Sequence, residues 1–204
     1  MRKNLSLLLM VVFLGSCSAL TGGKEQPLIV TRGAICGTAM IQGVSIGEVK
    51  GPGRCGIKDA VEVDAVGGVL LSQPSKMNCD TARSLNGWVT DQMTPIVGKK
   101  GGGVESLQVA AHYVCKTRNG RRGARLSEHS FGNAIDISAF NLADNSSLTV
   151  LTDWGRGKEG KLLRDLHRSA CGPFGTVLGP ESDRFHKTHF HFDIARYRNG
   201  TYCR

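Results

Sequence analysis

The strongest constraint on this chain is a six-residue alternation near its end. Residues 189–194 read His-Phe-His-Phe-Asp-Ile. Successive side chains of a strand point to opposite faces, so Phe190, Phe192 and Ile194 share one face and His189, His191 and Asp193 the other. The apolar face requires a core beneath it. The polar face gathers groups that bind protons or metals.

A second segment supplies a matching strand. In residues 127–137, Ser-Glu-His-Ser-Phe-Gly-Asn-Ala-Ile-Asp-Ile, Ile135 and Ile137 lie opposite Asp136. A strand carrying Asp136 can pair beside the one carrying His191, with both polar faces aligned. His129 can fold back over a turn at Gly132 to join them. The result is a His129, Asp136, His191 set. Imidazole and carboxylate suit Zn2+, and three protein ligands with an open fourth position make a hydrolytic site. His189, two residues before His191 on the same face, is the candidate general base, and His186 competes with it. Asp193, on the His191 face, fits either a carboxylate that orients an imidazole or one that forms a surface salt bridge. Trp154, in Thr152-Asp153-Trp154-Gly155, is expected at a strand end, where it would line a peptide groove. His112 and His167 lack partners in the sequence and read as structural.

The first residues set the compartment. Arg2 and Lys3 precede an apolar run from Leu5 to Leu14 of about ten residues, half of the roughly 20 that span a bilayer. The run ends in Leu14-Gly15-Ser16-Cys17, which resembles the lipobox of bacterial lipoproteins. Residues 1–16 therefore read as a lipoprotein signal peptide, Cys17 as the lipidated residue and membrane anchor, and 17–30 as a tether rich in turn residues. Ser18 after the anchor favours the outer membrane, facing the periplasm. Six cysteines remain, Cys36, Cys55, Cys79, Cys115, Cys171 and Cys203, and none belongs to a CxxC pair. An even set scattered singly suits three disulfides in an oxidising compartment, with the pairing open.

The remaining 31–204 is long enough for one domain with its own core. Residues 61–65 alternate as a half-buried strand, and Val69-Leu70-Leu71 follow as another after Gly67-Gly68. Asp80 is expected to cap a helix from Thr81 to about Val97, broken by Lys99-Lys100-Gly101-Gly102-Gly103. A strand is expected over 107–115, a turn at Asn119-Gly120, and a helix over 160–170. The net charge of +9 favours anionic surroundings without choosing among them. The basic loop 116–125 has no aromatic interleaving, and export argues against nucleic acid as a partner.

Residues 127–136 satisfy the SxHxxGxAxD pattern of zinc D-Ala-D-Ala peptidases at every fixed position. That segment, the later Phe190-His191-Phe192-Asp193 and the Val177-Leu178-Gly179-Pro180 run resemble the extensin-like C-terminal domain family, from about Cys55 to Cys203. The resemblance implies an α+β fold, a small antiparallel sheet flanked by helices with zinc on its open face, as in D-Ala-D-Ala peptidases, lysostaphin-type enzymes and the penicillin-insensitive murein endopeptidase. It matches His129, Asp136 and His191 to zinc ligands and Ser127 to a substrate-binding position. It also implies a cation steadying the oxyanion, for which Arg118 is the candidate and Lys116 and Arg125 are rivals. One departure matters. The carboxypeptidases place a catalytic Glu three residues before the last zinc His, and here that residue is Thr188. His186-x-x-His189-x-His191 instead resembles the murein endopeptidase. The expected function is a zinc peptidase acting on peptidoglycan stem peptides, with a non-catalytic zinc-containing wall-binding or scaffold lipoprotein as the alternative.

Overall fold

The computed structural model describes residues 33–197 and 200–204. The expected signal peptide, Cys17 and the tether to residue 30 lie outside the described residues. Ten strands form one sheet: β1 (Gly33–Ile35), β2 (Thr38–Lys50), β3 (Gly56–Val66), β4 (Val69–Asn78), β5 (Val104–Ala111), β6 (Ala134–Leu142), β7 (Ser147–Thr149), β8 (Thr176–Leu178), β9 (Phe190–Asp193) and β10 (Tyr202–Cys203). Their order is β1-β2-β3-β4-β5-β6-β9-β8-β10, with β7 pairing beside β6. Neighbours are antiparallel except β4 with β5 and β8 with β10. Helical segments are α1 (Cys79–Trp88), a π turn over Val89–Met93, α2 (Thr94–Val97), α3 (Val150–Asp153) and α4 (Gly157–Ser169).

This corrects the expected small antiparallel sheet flanked by helices. The sheet is large and mixed, and it dominates the domain. The physical reason lies in the first half of the chain. β2 is the longest strand, yet only Ile41 and Gly43 along it are buried. Its register with β3 slips at Gln42/Gly43, Ser45/Gly47 and Gly47/Val49, so period-2 alternation is absent. The mixed character has an equally local cause, since the chain leaves β4 through α1 and α2 and returns as β5 parallel to it.

Elements with strong patterns form where expected. Residues 61–65 lie within β3, 69–71 open β4, and the predicted helix over 160–170 is α4 shifted to Gly157–Ser169. The strand predicted over 107–115 stops at Ala111. The helix predicted from Thr81 is capped by Asn78, whose side chain accepts from the Thr81 N–H at 2.8 Å, while Asp80 sits in the first turn. Pro95 has no N–H to return to the preceding turn, and the π turn comes just before it.

The core lies on the face of the sheet that carries Ile135, Ile137, Phe190 and Phe192. Trp88 is fully buried there, 5.1 Å from the Phe192 ring and 6.2 Å from Phe140. Its indole N–H donates to Ser169 Oγ at 2.9 Å, which fastens α1 to the end of α4. Helices therefore cover this face, and the opposite face of β6 and β9 is left for polar groups.

All six cysteines pair: Cys36 with Cys79, Cys55 with Cys115, and Cys171 with Cys203. The first joins the β1–β2 turn to the start of α1, the second joins the β2–β3 loop to the segment after β5, and the third holds β10 beside the end of α4. Cys171 and Cys203 are 32 residues apart, so their bridge closes a loop that stabilises by roughly 3–4 kcal/mol through the unfolded chain. Replacing both by Ser should lower the urea unfolding midpoint by the equivalent of that energy, and an unchanged midpoint would show that the bridge constrains nothing.

Candidate metal centre

The site begins with strand register. β6 and β9 pair antiparallel with Asp136 directly opposite His191, Ile135 opposite Phe192 and Ile137 opposite Phe190. The apolar pairs enter the core, which places the Asp136 and His191 side chains together on the other face. His129 arrives from a 3-10 turn, Glu128–Phe131, that ends at Gly132 with φ +67°. A side chain there would be strained, and its Cβ would clash with Ile57 Cδ1. The Gly132 carbonyl accepts from the Asn78 N–H at 3.0 Å and from Thr81 Oγ1 at 2.9 Å, so the start of α1 sets the position of the turn.

The three side chains meet. His129 Nε2 lies 3.1 Å from Asp136 Oδ1 and 3.1 Å from His191 Nδ1, and His191 Nδ1 lies 2.8 Å from Asp136 Oδ1. All three residues are buried, and their ligand atoms form one compact group. A tetrahedral zinc site with bonds of about 2.0–2.1 Å has ligand-to-ligand edges of roughly 3.3 Å, so each atom would need to move by only tenths of an ångström to admit an ion. Both imidazoles are oriented from behind. His129 Nδ1–H donates to the His112 carbonyl at 2.7 Å, and His191 Nε2 meets Asp193 Oδ2 at 3.0 Å. That leaves His129 Nε2 and His191 Nδ1 facing Asp136, the arrangement of a carboxylate-oriented metal histidine.

Electrostatics reflect the same contacts. Burial opposes ionisation of Asp136, but hydrogen bonds from His129 and His191 outweigh it and hold the carboxyl well below the usual range. Burial opposes charge on His191, but hydrogen bonds to Asp136 and Asp193 prevail and push it up to about 9 without metal. A metal held here would have to displace a proton from this ring.

The other expected site residues divide into those brought to this group and those that are not. His189 Nε2 lies 3.5 Å from Asp136 Oδ2, and its Nδ1 lies 3.2 Å from Thr188 Oγ1. Burial lowers its pKa, so the ring is neutral at neutral pH. His186 Nδ1 is 2.8 Å from Asp183 Oδ1, and its ring centre is 5.4 Å from that of His189 and 5.7 Å from that of His191. These residues, with Ser127, Lys116 and Arg118, line an open cleft of about 370 Å³.

Arg118 reaches the cleft wall, but its Nη2 donates to the Tyr197 hydroxyl and sits 3.5 Å from Glu128 Oε1. Trp154 is not brought to the cleft. It follows α3 and packs edge-on against Phe190 and His167, behind the sheet. Arg125 does not line the cleft either. His112 contributes its carbonyl rather than its ring. Glu128, Tyr197 and Asp183 were not singled out from the sequence. Only Asp183, three residues before His186, carried a local signal.

A family model described as extensin-like protein C-terminus matches residues 36–204. The chain belongs to that family. The match begins at Cys36, so β2 lies within it, upstream of the expected start of the resemblance near Cys55. No curated protein and no solved structure matches the chain significantly.

Within this extensin-like domain, Asp193 touches His191 on the side away from Asp136. Substituting it with Ala should weaken zinc affinity by about 10–100-fold in calorimetric titration, whereas Asp136→Ala should abolish stoichiometric binding. Unchanged affinity in Asp193→Ala would mean that the carboxylate does not orient the ring.

Proposed function

We propose that this extensin-like domain is a zinc-dependent peptidoglycan hydrolase, a DD-endopeptidase acting on D-Ala-containing cross-links and related to the zinc D-Ala-D-Ala peptidase and penicillin-insensitive murein endopeptidase group. The observation that carries the reading is the buried His129, Asp136 and His191 cluster at the floor of a cleft that also holds two further histidines. An all-oxygen set would favour calcium or magnesium, but two imidazoles and one carboxylate suit zinc. When bound, zinc supplies a Lewis acid and lowers the pKa of water at its open position.

The chain's own residues supply the proton handling. Asp183 accepts from His186 Nδ1–H, which leaves His186 Nε2 as an acceptor. His189 is neutral and lies closest to the cluster. Either ring can take a proton from the attacking water and return it to the leaving amine. Ser127, at the rim of the His129 turn, offers a hydroxyl to the substrate peptide. A lipid anchor at Cys17, holding the protein to the outer membrane on the periplasmic side, would keep this cleft within reach of the wall.

A second reading, a zinc-containing wall-binding or scaffold lipoprotein without turnover, draws support from Thr188. It is exposed and offers His189 only a hydroxyl where a carboxylate would assist catalysis. Purified sacculi separate the two. Zinc-loaded wild type should convert cross-linked muropeptides to monomers, His191→Ala should release none, and His186→Ala or His189→Ala should slow release by about 10²–10⁴-fold. Wild type that holds one zinc and sediments with sacculi, yet releases nothing beyond His191→Ala, would establish the binding reading and end the hydrolase one.

A further inference from the structure

The cleft contains two cations, Lys116 and Arg118, and the structure treats them differently. Arg118 is committed. Its Nη2 donates to the Tyr197 hydroxyl, its guanidinium lies 4.7 Å over the Tyr197 ring, and Glu128 Oε1 is 3.5 Å away. Tyr197 in turn donates to Glu128, whose other oxygen accepts from Asn133 Nδ2 at 2.8 Å. This is a closed network in which the guanidinium braces a wall. A substrate that took over its Nη2 would break that network and loosen the hold on Glu128.

Lys116 has no such commitment. Among the described residues its ammonium has no ion pair and no side-chain hydrogen bond, and it lies within electrostatic reach of His189. Its backbone is held firmly. The Lys116 N–H donates to Ser130 Oγ at 3.0 Å, and its carbonyl accepts from the Ser127 N–H and from Ser130 Oγ, each at 2.9 Å. The root of the side chain is thereby tied to the turn that carries His129. The cleft carboxylates are all engaged elsewhere: Glu128 with Arg118 and Tyr197, Asp183 with His186, Asp193 with His191, and Asp136 within the cluster. None is left to neutralise Lys116.

We propose that Lys116 is the substrate-binding cation of the cleft, that it pairs with a free carboxylate on the residue just past the scissile bond, and that Arg118 is a positioning residue for the Glu128 and Tyr197 wall. This rests on the hydrolase reading and adds the substrate's charge to it. Both a D-Ala-D-Ala terminus and a D-Ala cross-link to a diamino dicarboxylic acid, acylated at an amine that shares its carbon with a carboxylate, present a carboxylate at that place. A lysine ammonium is a compact point charge that can meet one carboxylate without the fixed two-pronged geometry of a guanidinium.

The test compares N-acylated D-Ala-D-Ala with its terminal carboxylate free or amidated, on the zinc-loaded full chain. Equilibrium binding is measured by calorimetry and turnover separately, so the assignment can be judged even if no bond is cut. Wild type should bind the free acid at least about tenfold more tightly than the amide. Lys116→Met should lose that preference while zinc stoichiometry and thermal midpoint stay unchanged, and Lys116→Arg should retain most of it. Where turnover is measurable, the Lys116→Met loss should appear mainly in KM for the free acid. Arg118→Met should weaken both ligands alike and keep the preference. Equal binding of acid and amide by wild type, an intact preference in Lys116→Met, or its loss in Arg118→Met instead would each overturn the assignment. Preserved discrimination without hydrolysis would uphold Lys116 while removing the hydrolase reading.

Discussion

The structure depends on the register between β6 and β9. Four residue pairs connect them, and they sort by face: Ile135 with Phe192 and Ile137 with Phe190 face the helices, while Ala134 with Asp193 and Asp136 with His191 lie on the other face. Because side chains alternate with a period of two, a slip of one residue would send the phenylalanines toward water and bury the imidazole and carboxylate in the apolar layer. Burying Phe190 and Phe192 alone is worth on the order of 2–3 kcal/mol each. Hydrophobic packing thus selects the register, and the meeting of Asp136 with His191 follows from it.

That coupling explains what was legible in the sequence. The alternation at 189–194 and the Ile135, Asp136, Ile137 triplet are local and strongly patterned, and they led directly to the pair at the centre of the site. His129 could be joined to them because a glycine three residues later marks a turn, and the αL backbone at Gly132 is the reason that glycine is there. The sheet's extent was not legible. β2 is mostly exposed and broken by bulges, so no periodic signal survives in it. The positions of Arg118 and Trp154 depend on long-range contacts. Arg118 meets Tyr197 across 79 residues, and Trp154 meets Phe190 on the opposite face from the cleft. Spacing in the chain carries no information about either.

A buried carboxylate and two buried imidazoles are costly unless each is hydrogen-bonded. Here the group is closely interconnected: Asp136 Oδ1 lies within hydrogen-bond distance of both rings, His129 is backed by the His112 carbonyl, and His191 is backed by Asp193. Hydrogen bonds to Asp136 and Asp193 favour positive charge on His191 when no cation is present, and a metal held there would have to displace that proton. The site is therefore preorganised. The three candidate ligands would need only small displacements rather than assembly, which would keep the ordering cost of holding an ion low.

The two layers of the domain are not independent, and α1 is the element that links them. Its far end buries Trp88 against Phe192, on the core side of the strand that carries His191. Its near end, through Asn78 and Thr81, holds the carbonyl of Gly132 and so the turn that carries His129. One short helix thus bears on two of the three candidate ligands. The Cys36–Cys79 bridge sits at the start of that helix, which gives the long, weakly patterned β1–β2 hairpin a physical role: it is covalently fastened at the point from which the geometry of the cleft is set.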